Sequence, residues 1–224
     1  MHLKILFFSF AIAVSFQTQD ASMQQQRPPN IADIHTSMEI SQKTTLSQAF
    51  VLALSNSGMA GGVVNKEGCD SPVKEFYIPQ GMKLSQALDQ LMATDNQHRW
   101  LIIAGGITLL PKDGVSLLLQ AKIHDLQITD TNNLTFSVYQ LMHTKAISDM
   151  ISTLRLTLLS PEPGFSQALL PGQPKPEPHP LSLHDVSLLD ALNMIAVQHG
   201  GAIWSYGEFD CAGKKQLRVD FISR

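Results

Sequence analysis

Cysteine is nearly absent from this chain: Cys69 and Cys211 are the only two in 224 residues. With none of the eight histidines close to either, they lack the local ligand spacing that a zinc site requires. Charge is scarce too. Asp, Glu, Lys and Arg make up 16% of the chain and the formal net charge is -3, without long runs of one sign. Such a surface carries no electrostatic footprint for nucleic-acid phosphates or anionic lipid. There is one pronounced apolar run, Ile5 to Phe16, and it falls short of the roughly 20 residues that span a bilayer as a helix. Catalytic signatures are missing as well. No Gly-x-Ser-x-Gly elbow, dinucleotide fingerprint or zinc-peptidase His-Glu-x-x-His occurs. The glycines from Gly58 to Gly62 lack the lysine and preceding strand of a phosphate loop; Gly61-Gly62 reads as loop.

What is present begins with an export signal. Lys4, the apolar run and the polar stretch Gln17 to Ala21 follow the order of a secretory leader. This assigns residues 1–21 as signal peptide, cut near Ala21, although Gln19 stands where a small residue is usual. No cysteine follows the run to accept lipid, so the expectation is a soluble periplasmic or secreted protein. In that compartment an even cysteine count favours a Cys69–Cys211 disulfide, worth about 4–5 kcal/mol for so long a loop; two separate buried thiols are the alternative. Residues 22–35 are Gln-rich, contain Arg27-Pro28-Pro29 and read as a polar linker.

The 44% apolar content is that of a folded chain, and its most informative feature is a repeat. Leu46-Ser47-Gln48-Ala49-Phe50, Leu84-Ser85-Gln86-Ala87-Leu88 and Leu188-Leu189-Asp190-Ala191-Leu192 each open a pattern of apolar residues three to four positions apart, one buried stripe per helix. Gly58, Asn96 and Gly200 occupy equivalent places as left-handed stops. A short apolar run follows each: 60–64, 99–104 and 202–206, expected as strands. Trp100 and Trp204 hold the same place in two of them, which points to one shared packing role. Gly105-Gly106 suits a tight hairpin into Ile107 to Leu110, and Val73 to Ile78 supplies a strand before Pro79-Gln80-Gly81 and the second helix.

Beyond residue 112 the patterns weaken. The stretch from Val115 to Ile128 alternates and then shifts phase, as in a kinked or bulged strand. Asn133 to Met142 and Ala146 to Leu154 read as helices, and Ser160 to Gly164 ends the second. Pro171 to Pro180 reads as an extended, solvated loop. The fold class expected is α+β, in two modules of βαβ and βαββ type at 36–112 and 113–224, with amphipathic helices on short mixed sheets.

A strand, a Pro-Gln-Gly turn, a Leu-Ser-Gln-Ala-Leu helix, a Trp-bearing strand and Ile107-Thr108-Leu109-Leu110-Pro111 together resemble the short N-terminal domain shared by bacterial secretins and TonB-dependent receptors. The resemblance covers residues 36–111 best and 186–206 more loosely, and no secretin ring or β-barrel domain accompanies it within the 224 residues. It implies a stand-alone exported protein built from protein-binding modules, docking partners through sheet edges or helix faces, with no catalytic residues and no cofactor.

Candidate chemistry is thin. His35, His98, His124, His143, His179, His184 and His199 are scattered. His124-Asp125 and His184-Asp185 are adjacent pairs whose members point to opposite faces of a strand. Asn133-Leu134-Thr135 matches a glycosylation acceptor, which carries little weight in a bacterial-type export context. Trp204, Tyr206, Glu208 and Asp210 form the densest group of site-capable side chains, close to Cys211. Buried, Trp204 marks a strand end with the acids in water; exposed, the group would form a small-ligand cleft, as in a secreted hydrolase or carbohydrate-binding protein. The expectation is therefore a protein-interaction or assembly component of the cell envelope, binding another envelope protein. The leader is checked by the intact mass of protein recovered from the periplasm. A chain beginning near Ser22 is expected, and material retaining Met1 would overturn export.

Overall fold

The computed structural model describes residues 31–65, 72–159, 177–211 and 213–222. The fold is α+β, with six α-helices and ten strands among the described residues. The first half runs β1 (Ile40–Thr44), α1 (Leu46–Ser57), β2 (Gly61–Asn65), β3 (Lys74–Ile78), α2 (Leu84–Ala93), β4 (His98–Ile103) and β5 (Gly106–Pro111). The second continues with α3 (Leu117–Gln120), β6 (Lys122–Ile128), α4 (Leu134–Met142), α5 (Lys145–Leu154), β7 (Thr157–Leu158), β8 (Leu181–Ser187), α6 (Leu188–Gln198), β9 (Ile203–Cys211) and β10 (Lys214–Ile222). No helix of the described residues is long and apolar enough to cross a membrane.

Local chemistry sets the helix ends. Thr45 caps α1 by accepting from the Gln48 amide at 3.2 Å, and the Gln48 side chain returns to the Thr45 amide. Ser187 and Asp190 build the same reciprocal cap on α6, so both helices satisfy amide donors that would otherwise face nothing. Gly58 closes α1 with φ 77° and Gly200 follows α6 with φ 92°. Asn96 is not the stop of α2. That helix ends at Ala93 with Thr94 as a right-handed cap, and the Asp95 carboxylate shapes the turn by accepting from the Gln97 amide at 2.7 Å and holding the His98 ring. A carboxylate turn replaces the left-handed residue there.

Both halves follow one plan. In the first, β1 pairs antiparallel with β3, β2 parallel with β5, and β4 antiparallel with β5. In the second, β6 pairs antiparallel with β8, β7 parallel with β10, and β9 antiparallel with β10. Each half thus places its helices beside a two-stranded sheet and a three-stranded one. The three-stranded sheets join edge to edge through a parallel β2–β9 pairing, Gly61 to Ile203 through Asn65 to Gly207. The result is a six-stranded sheet of order β4-β5-β2-β9-β10-β7. One apolar core, with Phe50, Leu54, Leu88 and Ile78, lies under α1 and α2. The other, with Leu192, Ile195, Leu141 and Trp204, gathers α3 to α6. Ile203 belongs to the first core, and Ala60, Val64 and Leu110 to the second, so neighbouring residues of the shared strands alternate between cores, as the two-residue strand period requires. Ile31 and Ile34 also pack on the first core.

Three local expectations are corrected. Gly61 and Gly62 are strand, as the run 60–64 indicated and against their separate reading as loop; a Cβ on Gly61 would lie 1.9 Å from the Ile107 carbonyl oxygen, and one on Gly62 would stand 2.0 Å from the Trp204 ring. The hairpin turn consists of Ala104 and Gly105, both with positive φ, 46° and 83°. Gly106 begins β5, where a Cβ would strike the Asn193 side chain at 2.4 Å. Val115 to Ile128 is a helical turn and then β6. Ser116 caps α3 at the Leu119 amide, and the consecutive residues Leu118 and Leu119 are both fully buried, which a strand's alternation would not allow. Asn133 caps α4, accepting from the Phe136 amide at 3.0 Å. The leader, Cys69, residues 160–164 and most of the proline-rich loop lie outside the described residues, and of Cys211 only its backbone place at the end of β9 is given.

At the joint, the buried Asn193 of α6 accepts from Thr108 of β5 at 3.0 Å and from the Trp204 indole at 3.1 Å, and donates to the Leu189 carbonyl at 3.2 Å. The indole is donor-only, which orients the amide. Asn193→Ala leaves two buried donors unpaired and is expected to lower the unfolding free energy by about 2–4 kcal/mol. Gly62→Val overpacks the Trp204 ring and is expected to lower it by about 3 kcal/mol. Urea denaturation with an unchanged slope checks both, and a loss below about 1 kcal/mol for Asn193→Ala would refute the hub.

Candidate interaction surface

Among the described residues, the strand β4 forms one end of the six-stranded sheet, paired on one side to β5 and with no strand on the other. Its sequence, His98-Arg99-Trp100-Leu101-Ile102-Ile103, is β-branched and aromatic with one charge. Leu101 is 40% exposed and Ile102 50% exposed. Sheet edges are ordinarily short or guarded by charges, proline or bulges, because their free amides recruit other strands. Apart from Arg99, β4 carries no such guard. The Gln97 carbonyl accepts from the amide of Lys112, the residue after β5, at 2.7 Å, so strand alternation aims the backbone groups of His98, Trp100 and Ile102 outward.

Trp100 sits in the middle of this edge. Its indole donates to the Asp89 carboxylate of α2 at 2.9 Å. Asp89 and Trp100 are 11 residues apart, as are Asn193 and Trp204: the repeat places a helix acceptor under each tryptophan. The shared packing role is real, yet the surroundings differ. Trp204 is fully buried, whereas Trp100 is only half-buried against the first core.

The structure places the Trp204, Tyr206, Glu208 and Asp210 group along one face of β9. Tyr206 is 1% exposed, and its hydroxyl donates to Glu208 and accepts from Ser116 at 2.9 Å. Burial, reinforced by the Glu208 carboxylate, pushes the phenol well above its ordinary range, so it stays protonated at neutral pH. With both rings in the core, the group offers no aromatic face on which a sugar could stack; Glu208 is half-buried and Asp210 exposed.

Two arrangements escaped the sequence. Across the β6–β8 pair, His124 meets Asp185 at 2.7 Å and His184 meets Asp125 at 2.6 Å. Each histidine contacts the aspartate of the other dipeptide, a pairing that only strand register creates. All four side chains are at least 71% exposed, where ion pairs contribute little. A cleft of about 490 Å³ lies beside α1, lined among others by Gln42, Gln48, Asn65, Ser205 and Ile222. Among the described residues its lining has amides, hydroxyls and aliphatic side chains but no ionisable group. No group of three or more metal-capable side chains occurs among the described residues.

Compared with protein-family models, curated proteins and solved structures, the chain gives no match.

Acrylamide quenching tests the contrast between the two tryptophans, which are the only two in the chain. Trp100→Phe is expected to leave blue-shifted emission that the quencher barely reaches; strong residual quenching would show that Trp204 is not sealed in the core.

Proposed function

We propose that this protein is an exported, soluble interaction or assembly module of the bacterial cell envelope, which binds another envelope protein by adding a strand at the β4 edge. The observation that carries the reading is an unguarded six-residue edge strand, His98–Ile103, with two exposed aliphatic side chains and outward-facing amides. Strand addition draws affinity from main-chain hydrogen bonds and specificity from alternate side-chain positions. The rest of the fold suits that task. A sheet packed between helices on both faces holds the edge rigid, so little ordering of this surface is needed on binding.

The secretory leader and the resemblance to secretin and TonB-receptor N-terminal domains support the envelope setting. Nothing in the geometry favours the hydrolase or carbohydrate reading. Its aromatic members are buried, and the described residues lining the cleft beside α1 include no carboxylate.

The test is capture from periplasmic extract with the tagged mature chain, beside a Leu101→Lys, Ile102→Lys variant whose changes lie on exposed positions. Recovery of a defined partner by the parent chain is expected, with at least a tenfold loss for the variant. Absence of a reproducible partner, or equal recovery by both chains, would sink the proposal.

A further inference from the structure

The tandem plan makes β4 and β9 counterparts: each follows the helix that carries the tryptophan's hydrogen-bond acceptor and begins the hairpin that ends its half. Among the described residues, the outer edge of β9 is filled and that of β4 is not. β2 occupies the β9 edge, running parallel, with Gly61 donating to the Ala202 carbonyl at 3.2 Å and Gly62 directly opposite Trp204. The Trp204 ring takes the space where a Cβ on Gly62 would stand, 2.0 Å away. Any residue larger than glycine on the incoming strand would meet that ring. At β4 the backbone has the same phase. His98, the counterpart of Ala202, aims its carbonyl outward, and Trp100 is held by Asp89 as Trp204 is held by Asn193.

From this correspondence we infer that the β4 edge takes a parallel strand with glycine opposite Trp100, supplied by a partner protein. The inference rests on the edge-binding reading above and gives it a polarity and a residue preference. The filled joint also indicates the rest of the ligand: Val63 and Val64, the residues after Gly62, are each 1% exposed, so β-branched residues suit the positions that would flank Leu101 and Ile102. A second copy of this chain fits poorly. Among the described residues the sheet's other end is β7, only Thr157–Leu158 in length, and Leu156 to Leu159 contain no glycine. β2 itself is already bonded on both sides.

The probe is a synthetic peptide of residues 59–65, Met-Ala-Gly-Gly-Val-Val-Asn, extended by two lysines for solubility and titrated into the isotope-labelled mature chain. Saturable shifts of the Trp100 indole and of the His98, Trp100 and Ile102 amides are expected. The peptide carrying valine in place of Gly62 should bind at least tenfold more weakly. On a Trp100→Ala chain, checked for native melting, the two peptides should bind within threefold of each other; Trp100→Leu serves if the alanine variant does not fold. A spin label on the peptide's first residue should broaden Gln97 most, and one on its last residue Ile103.

Failure of the glycine peptide to bind, or equal binding of both peptides to the parent chain, overturns this inference while leaving partner capture by the edge intact. Reversed broadening overturns the parallel polarity. Self-association in sedimentation that disappears in the Leu101→Lys, Ile102→Lys variant would make the occupant a second copy and overturn the choice of partner. Partner capture indifferent to that double substitution would instead remove the edge-binding reading on which all of this rests.

Discussion

The contact between Asn193, Trp204 and Gly62 holds the two halves of this protein in one sheet. Each half can build its own pair of small sheets, but a three-stranded sheet ending in an open edge is a weak boundary for a core. Joining β2 to β9 removes one such edge from each half, and the join works only if the second strand's tryptophan can lie over the first. Glycine at position 62 makes that room. Asn193 then uses one side-chain oxygen for two donors, one from each half, so that the buried polar atoms at the seam are satisfied together. Apolar packing alone would favour burial without choosing a register; the amide and the glycine choose it.

The same arrangement explains why function is sought at an edge. The shared plan of the two halves gives two equivalent edges, and pairing among the described residues fills only one. The remaining edge keeps the tryptophan, the helix acceptor beneath it and the outward backbone groups, and adds exposed Leu101 and Ile102. The cluster most conspicuous in sequence, Trp204 with Tyr206, Glu208 and Asp210, serves largely to finish the core. Tyr206 ties Ser116 at the start of α3 to Glu208 of β9, linking the beginning and end of the second half.

Much of the architecture was legible because it depends on short-range chemistry. Helix starts at Leu46, Leu84 and Leu188 and the strand before α2 were marked by apolar periodicity and turn residues, and the hairpin between β4 and β5 was marked by Gly105-Gly106, one residue past the turn that forms. Expectations failed where a distant contact outweighed a local preference. Glycines at 61 and 62 look like a loop until Ile107, Leu54 and Trp204 are seen around them. Leu117 to Gln120 looks like strand until two consecutive leucines need the same core. The fourth copy of the repeat, β6 with α4, α5 and β7, escaped notice because its helix is divided at His143 and Thr144 and carries no Leu-x-x-Ala-Leu phrase.

By itself the sequence determined the α+β class, the three recognisable helix-strand units and the equivalence of Trp100 and Trp204, since each follows from residue spacing within one element or its neighbour. Tertiary structure alone decided that the halves share a sheet, that Trp204 is sealed and Trp100 is not, and which edge the described residues leave open. Those outcomes depend on the pairing of β2 with β9, residues far apart in the chain whose proximity no local period encodes.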